Sequence, residues 1–261
     1  MPTVYEFNSA IVRKPGSSVV NGLRAGDLGS PTYDGVLAEH DAYVDALRAA
    51  GVEVTVLPAL EAYPDSIFVE DPALVFPEGA ILLRPGAETR AGEVAEIAPT
   101  LRAMFDTVID QPMEGFADGG DVLAAPAAVM VGLSARTDRA GAAALLASLK
   151  RLGRRGEIVE TPKGVLHFKT DCSLLDEETV LATHRLAGSG FFKGLREIVV
   201  PAGEEPAANA LRVNGVVFVG ADYPRTIDLL DGEGYEVVPL KTTEIGKIDA
   251  GLSCMSLRWW R

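Results

Sequence analysis

The sequence predicts an α/β domain in which one unit, strand–strand–helix–strand, is repeated along the chain. Amphipathic helix-like segments alternate with short β-branched runs. Further strand candidates lie between these pairs, whereas a doubly wound sheet alternates single strands with helices. The units recur about every 40 to 55 residues, and no stretch rich in Gly, Ser or charge separates them. We therefore expect one domain over residues 1–261.

Five helix-like segments each lead into a β-branched strand. In chain order these pairs are 36–50 with 52–57, 90–105 with 107–109, 138–152 with 157–160, 190–195 with 197–201, and 223–230 with 235–240. The further strand candidates, which glycine or proline separates, are 73–76, 80–83, 121–124, 127–131, 179–182 and 216–219. At this length the units could close into a large α/β barrel or a propeller-like domain.

Composition excludes several functional classes. A formal charge of −13 disfavours nucleic acid and anionic membranes as partners, and it is compatible with a cationic small substrate. Two cysteines cannot form a disulfide framework, and no Cys/His cluster has zinc-ligand spacing. The sequence starts without a signal-peptide pattern, and its longest apolar run, 122–133, is too short to span a bilayer. We expect a soluble cytoplasmic protein.

No nucleotide-binding motif is present. Residues 14–18, Lys-Pro-Gly-Ser-Ser, match neither the dinucleotide-binding glycine pattern nor a P-loop. We expect no cofactor and no metal ion.

Cys254, in the segment Gly-Leu-Ser-Cys-Met-Ser at 251–256, is the candidate nucleophile. Thiolate hydrolases bring together a cysteine, a histidine and an acid that lie far apart in sequence. His167, one of three histidines, is the candidate base. A buried structural role is the competing interpretation for both residues. Cys172, at the start of an apolar strand, fits that structural role better.

The segment 64–72 holds three acids, Asp65, Glu70 and Asp71, around an apolar Ile-Phe-Val trio and between two prolines. Carboxylates packed beside apolar side chains are costly unless a cation satisfies them. A solvated acidic turn would not need the apolar trio. The segment therefore predicts a site for a cation.

Two further pairs of charged residues are candidates for the functional site. Asp118 and Asp121 flank a Gly-Gly turn, for which ordinary turn chemistry is an equally good explanation. Arg90 and Arg136 each precede a helix-like segment, where a surface arginine is the ordinary interpretation. Together the two arginines could hold a substrate carboxylate by bidentate contacts.

In their order along the chain, these motifs resemble the dimethylarginine dimethylaminohydrolase family of the guanidine-modifying (pentein) superfamily. The resemblance extends from Arg13 to Arg258. Its most specific segments are 64–72, 84–90, 134–137, 166–170, 221–225 and 247–249. It implies a five-bladed, pseudo-symmetric α/β propeller of ββαβ units, in agreement with the repeat.

The resemblance implies three catalytic residues. Cys254 is expected as the nucleophile, His167 as the general acid and base, and Asp118 as the acid that orients His167. Bacterial members of the family carry Glu at the position of Asp118, and animal members carry Asp.

The same resemblance assigns residues around the substrate guanidinium. Asp71 is expected to grip the guanidinium, with Glu70 nearby, and Phe68 to line the pocket. Carboxylates at Asp71 and Asp121 would fix the guanidinium plane beside the sulfur.

The opposite end of the substrate is an amino acid backbone. Arg90 and Arg136 are expected to bind its α-carboxylate. Leu23, Asp65 and Ile248 are expected around its α-amino group, with Leu23 and Ile248 acting through their backbone carbonyls.

The implied reaction converts Nω-methylated arginine to citrulline plus dimethylamine or methylamine, through a covalent S-alkylthiouronium intermediate on Cys254. Arginine deiminase, amidinotransferase and a non-catalytic pentein binding module are the alternatives. The presence of Cys254, His167 and the acids together argues against a binding module. The expected partner is a small guanidino substrate, with neither nucleic acid nor membrane, and a homodimer is among the expected assembly states.

Overall fold

The computed structural model describes residues 3–26 and 28–261. Its strands are β1 Ser9–Arg13, β2 Glu53–Leu57, β3 Ala73–Phe76, β4 Gly79–Leu82, β5 Val108–Asp110, β6 Val122–Ala124, β7 Val129–Leu133, β8 Gly156–Glu160, β9 Cys172–Leu174, β10 Thr179–Ala182, β11 Arg196–Val199, β12 Leu211–Val213, β13 Val216–Gly220, β14 Glu236–Leu240 and β15 Leu257–Trp259. Its α-helices are α1 Tyr33–Ala49, α2 Glu93–Met104, α3 Arg139–Arg151, α4 Pro224–Gly232 and the single turn α5 Thr243–Gly246.

The strands form five three-stranded sheets that share one strand arrangement. Their orders are β15-β1-β2, β3-β4-β5, β6-β7-β8, β9-β10-β11 and β12-β13-β14. In each sheet the middle strand is antiparallel to the first strand and parallel to the third. The parallel step needs a crossover connection, which explains why a helix falls between the second and third strands of four units. The predicted five-bladed propeller of ββαβ units is confirmed.

Three helices begin at residues whose chemistry favours a helix start. The Thr32 hydroxyl accepts a hydrogen bond from the Gly35 amide and caps α1. The Asp138 carboxylate caps α3 in the same way, at 2.7 Å from the Gly141 nitrogen. Pro224 occupies the first turn of α4, where its missing N–H has no intrahelical partner to lose. Each helix then buries one face against the neighbouring sheets.

The helix predicted at 190–195 is wrong. The connection between β10 and β11 consists of turns in this structure. Gly188, Gly190 and Gly194 have φ angles of +71°, +78° and +86°. These left-handed conformations are open to glycine and interrupt a right-handed helix. None of the helices in the described ranges is long and apolar enough to cross a membrane.

Candidate active site

The candidate catalytic residues occupy one position of the repeated unit, just before the first strand of a sheet. Asp71 precedes β3, Asp121 precedes β6, and His167 precedes the short 3-10 turn that leads into β9. Asn209 precedes β12, and Cys254 lies in a 3-10 turn just before β15. Because β15 lies beside β3, and β12 beside β9, these strand starts bring side chains from distant segments to one place.

His167 is hydrogen-bonded to Asp118, with 3.1 Å between Nε2 and Oδ2. Asp118 is buried, and its other oxygen accepts a hydrogen bond from the Gly86 amide at 2.7 Å. A Cβ atom at Gly120 would lie 2.7 Å from His167 Nδ1, so the imidazole requires glycine there. The Gly-Gly turn between the two acids is therefore needed for close approach to the histidine.

The surroundings of His167 favour its charged form. Burial alone would lower the pKa of His167, but Asp71, Asp118 and Asp121 outweigh burial and raise that pKa to about 9. The imidazole is therefore protonated at neutral pH and can donate a proton from either nitrogen. This is the state that a general acid needs at the start of a reaction.

Asp121 is fully buried and supports the histidine segment. One carboxylate oxygen accepts from the hydroxyls of Ser134 and Thr137, both at 2.6 Å. The other oxygen accepts from the Phe168 amide at 2.8 Å. Burial raises the pKa of Asp121 to about 6, although these hydrogen bonds and His167 oppose the shift. Asp121 thus anchors the backbone next to His167 and adds negative charge behind it.

Cys254 is buried, with 9% of its surface exposed. Burial raises the pKa of its thiol to about 11, and the negative charges of Asp71 and Glu70 act in the same direction. The thiol is therefore protonated at neutral pH. A cation bound against these two carboxylates would offset their charge and lower the pKa of the thiol.

Asn209 contacts the Cys254 sulfur, and the sequence analysis missed it. Its Nδ2 lies 3.8 Å from Sγ, and its Oδ1 accepts from the Ser253 amide at 3.1 Å. Asn209 thus holds the nucleophile turn and offers an N–H to the sulfur. The repeat was the available signal, because Asn209 occupies in its unit the position that Asp71 and Cys254 occupy in theirs.

Cys172 has the structural role that its sequence context favours. Its side chain is fully buried at the start of β9, and its sulfur lies 3.4 Å from the Phe168 carbonyl oxygen. Burial raises the pKa of this thiol far above its ordinary value, so Cys172 is unreactive near neutral pH.

Asp71 and Arg90 form a buried ion pair between Oδ2 and Nη1. Arg90 also binds Glu93 through Nε at 2.9 Å and Nη2 at 2.6 Å, and Nη2 contacts the carbonyl oxygens of Asp65 and Phe68. Burial opposes ionisation of Asp71, but Arg90 and the nearby His167 lower its pKa. The expected contact of Arg90 with a substrate carboxylate stays a prediction, and it requires some of these bonds to be exchanged.

Arg136 differs from Arg90 because its guanidinium forms no ion pair or hydrogen bond with the described residues. It is half-buried and close enough to Asp65 to lower the pKa of that carboxyl, which burial raises overall. Asp65 accepts a hydrogen bond from the Leu23 amide at 2.9 Å. A Cβ at Gly22 would lie 3.2 Å from both Asp65 and Ile248, so the three residues expected around the α-amino group lie together.

Glu70 and Phe68 both lie next to the nucleophile turn. Glu70 Oε1 binds Lys169 Nζ at 2.5 Å and Arg258 Nη2 at 3.1 Å, two cations that the sequence analysis did not assign. The Glu70 amide donates to the Cys254 carbonyl at 3.3 Å. Phe68 is buried in the same apolar cluster as Cys254, and its place in the pocket wall stays a prediction.

One group of side chains has metal-like spacing. Single ligand atoms of Asp71, Asp118 and His167 lie within 4.8 Å of one another. Asp118 is bonded to His167, and Asp71 is paired with Arg90. We therefore assign the group an electrostatic role, and the absence of a metal stays a prediction.

Comparison with known proteins identifies the family. A family model described as N,N dimethylarginine dimethylhydrolase, eukaryotic, matches residues 31–151. The chain is 39% identical over 254 residues to N(G),N(G)-dimethylarginine dimethylaminohydrolase of Pseudomonas aeruginosa, covering 97% of this chain and 100% of that protein. The chain belongs to the dimethylarginine dimethylaminohydrolase family. Its Streptomyces coelicolor member is 33% identical, covering 95% of this chain and 96% of that protein.

Solved structures of this dimethylarginine dimethylaminohydrolase family superpose closely. A cysteine-to-serine mutant of the Pseudomonas aeruginosa protein in complex with citrulline has a TM-score of 0.94 and 38% identity, covering 97% of this chain and 100% of that one. A histidine-to-glycine member with an S-methyl-L-thiocitrulline adduct has a TM-score of 0.93 and 39% identity, covering 97% and 99%. The N-terminal domain of ArgZ, at 17% identity and a TM-score of 0.84, shares the fold over 96% of this chain and 97% of that one.

Proposed function

We propose that the protein hydrolyses Nω-methylated arginine to citrulline, with Cys254 as the nucleophile. The observation that carries this proposal is the place of Asp71. Its carboxylate lies within 4.8 Å of the His167 ring and acts on the pKa of both Cys254 and His167, so it is near the candidate nucleophile and the candidate acid. A guanidinium bound to Asp71 would be close to both groups.

The first half of the reaction starts with the substrate cation. Its charge offsets Asp71 and Glu70 and lowers the pKa of the Cys254 thiol, which gives its proton to solvent and becomes a thiolate. The sulfur bonds to the guanidinium carbon and gives a neutral tetrahedral adduct. The imidazolium of His167 gives its proton to the methylated nitrogen, the C–N bond breaks, and dimethylamine leaves. A cationic S-alkylthiouronium and a neutral His167 remain.

The second half uses the neutral histidine as a base. His167 takes a proton from water while the water oxygen bonds to the thiouronium carbon. The C–S bond then breaks, Cys254 returns to a thiolate and His167 is again an imidazolium. The released amine takes the remaining hydroxyl proton, and the products are citrulline and dimethylammonium. The Cys254 thiolate takes a proton back from solvent after the products leave. Asp118, bonded to Nε2, would hold the ring in place through both halves.

The products formed from three substrate mixtures separate this reaction from its alternatives. The protein is incubated in ¹⁸O-water with asymmetric dimethylarginine, with arginine, or with arginine plus an acceptor amine, and the products are analysed by mass spectrometry. We expect ¹⁸O-labelled citrulline and dimethylamine from the first mixture. Ammonia and citrulline from arginine at a higher kcat/KM would indicate a deiminase, and an amidinated acceptor would indicate an amidinotransferase. No product from any mixture would reject catalysis on these guanidines.

The same proposal extends to the whole chain. We infer that residues 1–261 act as one catalytic domain, because Asp71, His167 and Cys254 come from three different sheets. The negative charge and the family suit a cytoplasmic enzyme that acts on a small cation, without nucleic acid or membrane. Homodimer assembly stays a prediction that light scattering would test.

A further inference from the structure

A cavity lies next to the candidate active site, and Cys254, His167 and Asp71 are not among its lining residues. It has a volume of about 200 Å³. Glu70 and Ser253 contribute to its wall. The cavity therefore shares a boundary with the active site but is not the place where the reaction would occur.

Buried polar atoms without partners gather in the wall of this cavity. Five side-chain atoms of its lining have no hydrogen-bond partner among the described residues: Thr3 Oγ1, Glu70 Oε2, Ser173 Oγ, Ser253 Oγ and Arg258 Nε. Glu70, Ser173 and Ser253 are at most 7% exposed. Buried polar atoms in folded proteins are normally satisfied by protein, water or ligand. The cavity thus has the hydrogen-bonding capacity to hold a polar group.

Positive charge exceeds negative charge in the lining, although the chain as a whole has a charge of −13. The charged lining residues are Lys169, Arg154, Arg212, Arg258, Glu6 and Glu70, of which Arg154 is paired with Glu78 outside the lining. Arg212 has no carboxylate partner among the described residues. Its guanidinium lies over the rings of Tyr5 and Tyr235, and its Nε donates to the Asn214 carbonyl. This balance favours an anionic group on the ligand.

Aromatic side chains form much of the remaining wall. Trp260, Tyr5, Phe7 and Phe76 line the cavity, whereas Trp259 contributes at the same strand end but packs its ring on Phe105 in a separate apolar cluster. Trp260 is 41% exposed, so the wall reaches the surface. Such rings pack well against a planar apolar body. We propose that this cavity is a binding site for a small aromatic carboxylate, with its ring among these side chains and its carboxylate toward the arginines.

Two bonds connect this cavity to the nucleophile turn. Arg258 Nη1 donates to the Ser253 carbonyl at 3.0 Å, and the Glu70 amide donates to the Cys254 carbonyl at 3.3 Å. A ligand that binds Arg258 or displaces its bond to Glu70 would shift the turn that carries the sulfur. Occupancy of the cavity therefore regulates turnover. The effect on turnover rests on the proposed function, whereas the binding of an aromatic carboxylate in the cavity does not.

The two tryptophans provide a direct assay of binding. The protein is titrated with benzoate, benzyl alcohol or benzylamine while tryptophan emission is recorded. We expect a saturable change with benzoate, at least about tenfold weaker binding of the neutral alcohol, and no saturation with benzylamine. Glu70 Oε2 alone would attract a cation, so tighter binding of benzylamine would overturn the proposal. The absence of saturation with benzoate would also overturn it and leave a cavity that holds water.

Single substitutions show whether benzoate binds in this cavity or in the candidate active site. Arg212→Gln should weaken benzoate binding by at least about fivefold, and the exposed Arg139→Gln should leave it unchanged. Arg136→Gln should also leave it unchanged, because that arginine belongs to the candidate substrate site. If Arg136→Gln abolished binding and Arg212→Gln did not, benzoate would occupy the active site and the proposal would fail. Ala124→Phe, which fills the cavity from β6, should abolish binding while circular dichroism shows an intact fold.

Discussion

Replacement of Asp118 by Asn tests the electrostatic account of His167 most directly. The pKa of His167 is about 9, against an ordinary 6.5. A difference of that size corresponds to about 3 kcal/mol in favour of the imidazolium. Asp118 supplies part of it through charge and through the bond to Nε2. In Asp118→Asn the Oδ1 atom can still accept from the Gly86 amide, so the Nδ2 donor would face His167.

An amide N–H opposite Nε2 favours an imidazole that accepts a hydrogen bond there, which is the neutral form. We therefore expect the pKa of His167 to fall by at least about one unit, equivalent to about 1.4 kcal/mol. The assay is an NMR titration of the imidazole signals, which come from three histidines and are assigned with a His167→Asn variant. The alkaline limb of kcat/KM should move to lower pH by the same amount.

The stability of the protein should change in a defined pH range. Because the pKa of His167 is raised on folding, its stabilisation is complete below about pH 6.5 and is lost as the pH rises toward 9. Asp118→Asn should remove part of this stabilisation at pH 6, whereas Asp118→Glu, which keeps the charge, should retain it. A His167 pKa that stays within about 0.3 units in Asp118→Asn would refute Asp118 as its electrostatic partner.

Three further substitutions separate the remaining roles. Cys254→Ser should abolish citrulline formation while the matched Cys172→Ser keeps most activity, and near wild-type turnover by the first variant would remove Cys254 from the mechanism. Asp71→Asn should lose roughly 2–5 kcal/mol of binding to methylated arginine but much less to citrulline, as measured by calorimetry on a Cys254→Ser background; equal losses would assign Asp71 a structural role. Asp121→Asn should lower kcat and raise the melting temperature at pH 8. The reason is that the raised pKa of Asp121 makes its buried charge unfavourable above about pH 6. A lower melting temperature would show that the hydrogen bonds of Asp121 outweigh the cost of burying its charge.

Local patterns in the sequence predicted the helices better than the edges of the sheets. Strand predictions 73–76 and 179–182 agree with β3 and β10, and four of the five predicted helices lie within a few residues of α1 to α4. In contrast, β1 and β15 were not predicted. β15 has three residues and is held by pairing with β1, which lies at the other end of the chain. No short-range pattern records such a pairing.

The candidate site was likewise predicted only in part, because some of its contacts depend on long-range packing. The motif segments indicated Asp71, Asp118 and His167, which the fold brings together. The full pairing of Arg90 with Asp71 and Glu93 could not be predicted, because it depends on side chains that meet only when the first turn of α2 packs on the acidic segment. Asn209 carries no motif of its own, and its role follows from its position in the repeat.

The sheet that carries the nucleophile joins the two ends of the chain. β15 pairs with β1 from Ser9 opposite Trp259 to Ile11 opposite Leu257, and Cys254 lies just before this closure. During synthesis β1 emerges early, and this edge stays unpaired until β15 has been made. The thiol therefore reaches its place only after the strands of the other four sheets have been made. Loss of Leu257–Trp259 would remove activity while leaving four sheets complete.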